Sequence, residues 1–303
     1  MTVASLGLGT YRVRASALSD AVSWAADDPG TGWVDTAPNY LHGQAQSLLA
    51  PALARHPVGV STKVGFLTDE VRRAAVADRA LSTVEAESGH ALSPAYVHWQ
   101  CARNRTELGR DRLDVVFVHN PERTAGDPYE ALGDAFTALE AEAEAGTLDA
   151  YGVATWDGFD TGVLRVSELD RLATGVAGTP HHHLRAVQLP VSLVIASAFG
   201  LALNREGPIA DAVYRGWQVY ASAPLFGGEL AELATRELAD LLRPDLTITQ
   251  ACLLAVASCP GVTRVLLSAS TPAHWADGWA ALQEPPVTVS TLRRVLGVLA
   301  SDG

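Results

Sequence analysis

The feature that most constrains the fold is an eightfold alternation of a short apolar run with a longer segment of helical period. The predicted strands are 6–10, 32–37, 58–64, 114–119, 150–155, 186–189, 218–221 and 265–268. Most are apolar at successive residues, as in Val115-Val116-Phe117-Val118, which is typical of parallel strands covered on both faces. Eight such units in 303 residues predict an α/β fold, a (β/α)8 TIM barrel.

The segments between the strands predict helices and no domain boundary. The predicted helices are 17–27, 43–55, 94–108, 128–145, 161–174, 206–215, 229–242, 247–258, 272–282 and 289–300. Ser93 before Pro94, and Thr247 with Gln250 three residues later, are typical N-terminal caps. Because no Gly-, Ser- or Pro-rich linker interrupts the alternation, we expect a single domain over residues 1–303. The long connection 66–92 is expected to help shape the active site.

Composition excludes several classes of partner. The 34 acidic residues outnumber the 22 basic ones and give a net charge of −12, which argues against nucleic acid or an anionic membrane surface. No apolar run approaches the roughly 20 residues that span a bilayer, and the N-terminus lacks a signal-like stretch. Three cysteines form no disulfide framework, and the sequence lacks metal-binding spacings. We therefore expect a cytoplasmic protein without metal; its oligomeric state is not indicated.

Lys63 is the only lysine among the 22 basic residues, and it lies near the carboxyl end of the third predicted strand. Asp35 and His119 lie near the carboxyl ends of the neighbouring strands, and Tyr40 follows Asp35 by five residues. In a barrel these ends share one face, where a buried ammonium needs a carboxylate partner. The ammonium is expected to favour phenolate and so to lower the pKa of Tyr40. His119 could then donate a hydrogen bond to a carbonyl oxygen that Tyr40 protonates.

These residues stand in motifs that resemble the aldo-keto reductase superfamily in order and spacing from about residue 6 to 282. The motifs are Gly7-Leu8-Gly9-Thr10, Asp35-Thr36-Ala37-Pro38-Asn39-Tyr40, Ser61-Thr62-Lys63-Val64-Gly65, Leu113-Asp114-Val115-Val116-Phe117-Val118-His119-Asn120-Pro121, Tyr151-Gly152-Val153, Val187-Gln188 and Pro224-Leu225-Phe226-Gly227-Gly228-Glu229-Leu230. The resemblance implies a catalytic tetrad of Asp35, Tyr40, Lys63 and His119, with Tyr40 as general acid. It also implies a nicotinamide cofactor, normally NADPH with NADH as the alternative, across the barrel mouth.

The resemblance also assigns residues to the cofactor. Gln188 would bind the carboxamide, and the glycines of the 225–230 loop would let the backbone approach the pyrophosphate closely. The full predicted cofactor set is Gly9, Thr10, Thr155, Gln188, Ser222, Leu225, Gly227, Gly228, Leu230, Ser268, Ser270 and His274.

Several positions depart from the family pattern, among them Gly278, which stands where an asparagine is expected. Thr155 stands where an asparagine amide would hold the carboxamide, and Ser222 where an aromatic ring would stack on the nicotinamide. His274 stands where an arginine would meet the 2′-phosphate, and a neutral imidazole substitutes poorly for a guanidinium. A helix N-terminus near Thr271 could still bind a phosphate. The sequence therefore predicts altered cofactor binding and leaves the preference between NADPH and NADH open.

The predicted substrate residues are Tyr11, Phe66, Asn120 and Trp156, an aromatic set that favours a hydrophobic or polycyclic carbonyl over a simple sugar. The leading hypothesis is an NAD(P)H-dependent oxidoreductase that reduces a small-molecule carbonyl to an alcohol. One alternative is a redox-neutral cyclase, dehydratase or isomerase on the same scaffold with weakened cofactor binding. A non-enzymatic binding subunit is a further alternative, which the complete tetrad disfavours.

Overall fold

The computed structural model describes residues 3–301 and contains eight parallel strands that close into a barrel in sequential order. The strands are β1 (Ser5–Gly9), β2 (Trp33–Asp35), β3 (Gly59–Val64), β4 (Leu113–His119), β5 (Leu148–Ala154), β6 (Leu184–Pro190), β7 (Gln218–Ser222) and β8 (Arg264–Leu267). β1 pairs in parallel with both β2 and β8, which closes the ring. The predicted (β/α)8 fold is confirmed, with strand ends that differ from the predicted ones by a few residues at most.

Helices cover the outside of the barrel. They are α1 (Leu18–Asp27), α2 (Ala45–Leu53), α3 (Asp69–Ala77), α4 (Thr83–Glu87), α5 (Pro94–Leu108), α6 (Pro128–Glu144), α7 (Val166–Ala177), α8 (Ser197–Leu203), α9 (Gly207–Tyr214), α10 (Leu230–Leu233), α11 (Arg236–Leu242), α12 (Ile248–Ala257), α13 (Pro272–Gln283) and α14 (Val289–Ser301). The capping box of Thr247 and Gln250 forms as predicted. Ser93 occupies the N-cap position of α5 but makes no side-chain capping hydrogen bond.

Two predicted helices were wrong in extent or number, and a third helix was not predicted. The single helix predicted over 229–242 is two helices, because Thr235 caps a new start by accepting from the Leu238 amide at 3.2 Å. The helix predicted over 161–174 begins five residues later, at Val166. α8 was not predicted at all; its seven residues are too few for a helical period to stand out.

Alternate residues of the strands fill the barrel interior. The interior cluster consists of Val115, Phe117, Ala154, Ala186, Tyr220 and Leu266, with Trp33 and Ala150 packed against it. The Arg264 guanidinium lies over two of these rings, 4.4 Å from the Trp33 centroid and 5.5 Å from the Tyr220 centroid. Because Arg264 begins β8, this stack fills the end of the barrel opposite the carboxyl ends of the strands. The polar residues of the predicted site therefore lie at the other end of the barrel.

Within residues 3–301, no helix is long and apolar enough to cross a membrane. The same part of the chain contains no group of three or more His, Cys, Asp or Glu side chains arranged to hold a metal ion. The carboxyl ends of β2, β3 and β4 carry Asp35, Lys63 and His119, so the polar residues predicted at the strand ends do reach one face of the barrel.

Candidate active site

A buried ion pair forms the centre of the site. The Lys63 ammonium donates to Asp35 Oδ2 at 2.7 Å and to the Thr36 carbonyl at 2.9 Å, and Lys63 is only 1% exposed. The second Asp35 oxygen accepts from Ser61 Oγ at 2.7 Å and from Gln188 Nε2 at 3.0 Å. Burial alone lowers the pKa of Lys63, but the neighbouring Asp35 and Tyr40 outweigh it and raise that pKa overall. Lys63 therefore stays charged.

A polar network behind β3 fixes the backbone that carries Lys63. Asn104 donates its side-chain amide to the Lys63 carbonyl at 3.0 Å and accepts from Gln46 Nε2 at 3.0 Å. Gln46 in turn accepts from the Thr62 hydroxyl at 2.5 Å. All three side chains are fully buried, so each hydrogen bond also avoids the cost of an unpaired polar group. Sequence reasoning missed this support because its members lie on three separate elements.

Tyr40 follows β2 in a tight turn in which Leu41 and His42 have φ values of 49° and 55°. Its ring centroid lies 5.2 Å from Lys63 Nζ and 6.2 Å from the His119 ring, which stands almost perpendicular to it. Burial raises the pKa of Tyr40 more than the Lys63 ammonium lowers it, and the pKa is raised overall. The expected lowering of this pKa was therefore wrong, because removing the phenolate from water costs more than the lysine returns. Tyr40 holds its proton at neutral pH.

His119 ends β4 and is uncharged under ordinary conditions. Burial lowers the pKa of His119 well below its usual value, and the charges of Lys63 and Arg123 add to that effect. Its ring also packs edge-on against Phe66, with centroids 4.8 Å apart. A neutral imidazole in this position has one N–H to donate and no positive charge to compete with Lys63.

The tetrad opens into a cleft of about 720 Å³ at the carboxyl ends of the strands. Asp35, Tyr40 and His119 line it, while Lys63 lies beneath them. The predicted cofactor residues that line the cleft are Gly9, Thr155, Gln188, Ser222, Leu225, Gly227, Gly228 and Ser268. All four predicted substrate residues, Tyr11, Phe66, Asn120 and Trp156, also line it. Most of the predicted site is thus brought to one surface.

Four predicted cofactor residues lie outside this lining. The Thr10 hydroxyl is buried and donates to the Asp35 carbonyl at 3.0 Å, and Leu230 packs into the hydrophobic core at 2% exposure. Ser270 Oγ accepts from the Arg14 amide at 3.2 Å. His274 is exposed on the first turn of α13, where its amide donates to Thr271 Oγ1 at 3.2 Å. Their assignment to the cofactor stays a prediction.

The structure adds four polar residues to the cleft that sequence reasoning did not select: Arg12, Asn39, Arg123 and Glu229. Both arginines are exposed, and within residues 3–301 neither forms an ion pair with a carboxylate. Asn39 Oδ1 is buried and has no hydrogen-bond partner in that part of the chain. The sequence indicated two of these residues in part, because Arg12 and Asn39 each adjoin a tyrosine assigned to the site.

Several features of the cleft fit a nicotinamide dinucleotide. Gly227 and Gly228 turn with φ values of 70° and 100°, and a Cβ on Gly228 would meet no atom of residues 3–301 within 4 Å. A Cβ on Gly227 would lie 3.5 Å from the Arg12 guanidinium, so a cation lies beside the glycine turn. Gln188 and the Asn39 carbonyl provide amide groups near the tetrad. A backbone turn without side chains, next to a guanidinium, suits an anionic pyrophosphate.

Known proteins place this chain in a family. The model of the Aldo/keto reductase family matches residues 4–292. A D-threo-aldose 1-dehydrogenase from Pseudomonas sp is 27% identical, with 94% of this chain and 92% of that protein covered. A pyridoxal 4-dehydrogenase from Microbacterium luteolum is 29% identical over 178 residues, which cover 50% of this chain and 52% of that protein.

The fold is likewise shared. An aldo-keto reductase from Klebsiella pneumoniae, solved in complex with NADPH, superposes with a TM-score of 0.70 at 18% identity, covering 98% of this chain and 95% of that one. The family match spans nearly the whole barrel, including every strand that carries a tetrad residue. The chain therefore belongs to the aldo/keto reductase family and is an NAD(P)H-dependent oxidoreductase.

Proposed function

We propose that this oxidoreductase reduces the carbonyl group of a small organic metabolite to an alcohol, with Tyr40 as the general acid. The observation that carries the proposal is the arrangement at the cleft floor. Tyr40 and His119 face the cleft together, while the Lys63 ammonium lies 5.2 Å from the Tyr40 ring centroid and is held by Asp35. This arrangement supplies a proton and a hydrogen bond at one point, as carbonyl reduction requires.

The hydride for the carbonyl carbon would come from a bound reduced nicotinamide, and the chain's own residues act on the carbonyl oxygen. His119 donates its N–H to that oxygen and orients it. Tyr40 transfers its proton as negative charge develops there, and the resulting phenolate is stabilised by Lys63. Asp35 keeps the ammonium in place and is itself held by Ser61 and Gln188.

The raised pKa of Tyr40 favours this direction of reaction. A general acid must be protonated before the step, and a phenol with a raised pKa is fully protonated at neutral pH. Lys63 lowers the pKa in part, which limits the cost of forming the phenolate during proton transfer. Burial thus keeps Tyr40 protonated before the proton transfer, and the Lys63 ammonium stabilises the phenolate that the transfer leaves.

For the cofactor we propose NADPH, with NADH as the weaker ligand. Arg12 lies beside the Gly227 turn, and Arg14 donates to the Ser270 carbonyl at 3.1 Å. These two arginines place positive charge between the first and last strands. Ser222 lines the cleft and offers no aromatic ring on which the nicotinamide could stack. The nicotinamide would therefore be held by amide groups and by the shape of the cleft.

The lining supports a substrate with both an apolar face and polar groups. Tyr11 and Trp156 are about half exposed, at 54% and 47%, and so present broad aromatic surfaces to the cleft. Asn120 and Arg123 lie in the same lining. This mixture suits a polar aldehyde or ketone better than the purely hydrophobic carbonyl that the aromatic residues alone suggested.

Binding and turnover test the proposal together. Titration with NADPH and with NADH, followed by nicotinamide fluorescence, is expected to show binding of both, tighter for NADPH. Turnover is then measured with a panel of aliphatic, aromatic and hydroxylated aldehydes and ketones. Failure of both cofactors to bind at millimolar concentration would contradict the proposal. Conversion of a substrate without any change in nicotinamide absorbance would favour the redox-neutral alternative.

A further inference from the structure

A buried histidine lies behind the cleft and has no part in the reaction described above. The connection between β3 and α5 runs out through α3 and α4 and then returns, so that Phe66 and His90 form an isolated antiparallel bridge. The Leu67 amide donates to the Gly89 carbonyl, and the Ala91 amide to the Gly65 carbonyl, both at 2.9 Å. His90 is thereby fixed at 5% exposure beside the end of β4, and it does not line the cleft.

The imidazole of His90 contacts the main chain of His119. Nε2 of His90 lies 2.8 Å from the His119 carbonyl oxygen. A carbonyl oxygen can only accept, so Nε2 carries the hydrogen and donates it. Burial lowers the pKa of His90, which keeps the ring neutral with this single N–H. The other ring nitrogen, Nδ1, is buried without a hydrogen-bond partner in residues 3–301, so this ring's hydrogen bond is made to His119 alone.

His119 is the last residue of β4, so the strand does not continue beyond its carbonyl group. Asn120 adopts a left-handed conformation with φ of 50°, so the chain turns away from the strand direction directly after His119. The Asn120 amide donates to the Ala154 carbonyl at 2.6 Å, which fixes one side of this peptide group. The hydrogen bond from His90 fixes the other side. The two bonds together determine the plane of the peptide that follows the catalytic histidine.

The residues around the hydrogen bond from His90 to the His119 carbonyl leave room for it and pack against both rings. Gly65 has φ of 133°, and a Cβ there would come within 2.6 Å of His90 Nε2, so only glycine allows the approach. The Phe66 ring stands edge-on to both imidazoles, 5.1 Å from the His90 centroid and 4.8 Å from the His119 centroid. A displacement of His90 would therefore reach the His119 ring by two routes, through the carbonyl and through Phe66.

We propose that His90 is a positioning residue that orients the catalytic His119. The inference rests on the proposed function, because it assigns His119 its role in carbonyl reduction. Loss of the Nε2 donor would free the His119 peptide and let the ring rotate away from the carbonyl oxygen. Misplacement by about 1 Å at such a site can cost about a hundredfold in rate.

Two variants separate the hydrogen bond from simple packing. His90→Leu fills the space without a donor, whereas the side-chain amide of His90→Gln can place an N–H near the position of Nε2. We expect His90→Leu to lower kcat about 10- to 100-fold with an unchanged cofactor Kd, and His90→Gln to recover most of that loss. The exposed His181 gives the matched control His181→Leu, for which no change in kcat is expected.

Nitrogen NMR of histidine-labelled protein provides a readout that does not need turnover. The wild type is expected to show His90 protonated at Nε2, and the His119 ring signals are expected to move in His90→Leu but not in His90→Gln. Melting temperatures establish that all variants are folded. Unchanged His119 signals together with wild-type kcat in His90→Leu would overturn the proposal, as would equal losses in the two folded variants.

The same experiment keeps the two proposals apart. If the wild type reduces no carbonyl with either nicotinamide nucleotide, the proposed function fails, and the NMR signals alone decide the positioning role. His119 signals that move only in His90→Leu would then support it. Signals that stay fixed in both variants would refute it.

Discussion

The two ends of the cleft differ in how deeply their charged and polar groups are buried. At the catalytic end, Asp35 and Lys63 are almost fully buried, and the polar atoms of their ion pair are all hydrogen-bonded. The β8 rim, which we define as residues 268–274, is mostly exposed and contributes hydroxyls, helix N-terminal amides and a histidine. Charges in a low-dielectric interior interact strongly, whereas exposed charges are screened by water. Substitutions at the catalytic end should therefore have much larger effects than those at the β8 rim.

The largest effect is expected for Lys63→Met. The substitution leaves the Asp35 carboxylate buried without its ion-pair partner, which typically costs about 3–5 kcal/mol in the free energy of unfolding. The loss of kcat should reach at least the range for a missing acid–base group, about 10²–10⁴-fold. Urea unfolding and steady-state kinetics measure the two effects.

The double variant Lys63→Met, Asp35→Asn is the control for that experiment. It removes both charges and should recover part of the stability without recovering activity. If the Lys63→Met protein were as stable as the wild type, the catalytic end would not depend on this ion pair. The predicted contrast with the β8 rim would then be wrong.

Tyr40→Phe should affect chemistry without affecting the fold. Removing the phenol proton is expected to lower kcat for reduction about 10²–10⁴-fold, while the ring contacts with Tyr11 and His119 are retained. The matched control is Tyr214→Phe on α9, a tyrosine that is 89% exposed and remote from the cleft. Equal kcat values for the two variants would remove Tyr40 from the proposed role.

The pH dependence of reduction gives a further test of how burial acts at the catalytic end. Because the pKa of Tyr40 is raised, the acid form persists through neutral pH, and kcat should fall only above the ordinary tyrosine value of about 10. His119 has a pKa well below its usual value, so no step is expected near pH 6.5. A decline that begins well below pH 10 would mean that Lys63 outweighs burial.

Acid should also reduce stability through the same buried histidines. The pKa values of His90 and His119 are lowered in the folded protein, so below about pH 6.5 the unfolded chain binds protons that the folded protein does not. The free energy of unfolding should then fall as the pH drops through that value. In His90→Gln the slope should be smaller, by at most one proton, which urea titrations between about pH 7 and 5 can measure.

The smallest effect is expected at the β8 rim. His274→Arg adds an exposed cation where the family commonly has an arginine, and exposed ion pairs contribute about 0.2–1 kcal/mol. NADPH should bind up to about fivefold more tightly, with NADH unchanged because it lacks the 2′-phosphate. Equal tightening of both cofactors would mean that His274 does not face the 2′-phosphate. A hundredfold effect would remove the contrast between the two ends.

Much of the site could be predicted because its residues are fixed by strand ends. Asp35, Lys63 and His119 lie at or next to the carboxyl ends of three successive strands, and parallel strands in a barrel bring such ends together. Arg12, Asn39, Arg123 and Glu229 were missed because they lie in loops and short turns, whose course depends on packing. His90 was missed because 29 residues separate it from His119, and nothing in its local sequence indicates that the connection folds back.

The sequence by itself determined the barrel and the family and predicted which four residues form the tetrad, since periodicity, strand-end residues and motif order can be read from the chain without knowing its packing. It also determined that a single lysine stands at the site. Only the tertiary structure decided the protonation of these groups. Burial, which depends on every element packed around the barrel mouth, raises the pKa of Tyr40 where the neighbouring ammonium alone would have lowered it. The hydrogen bond of His90 and the position of Arg12 beside the Gly227 turn likewise depend on loops meeting in space.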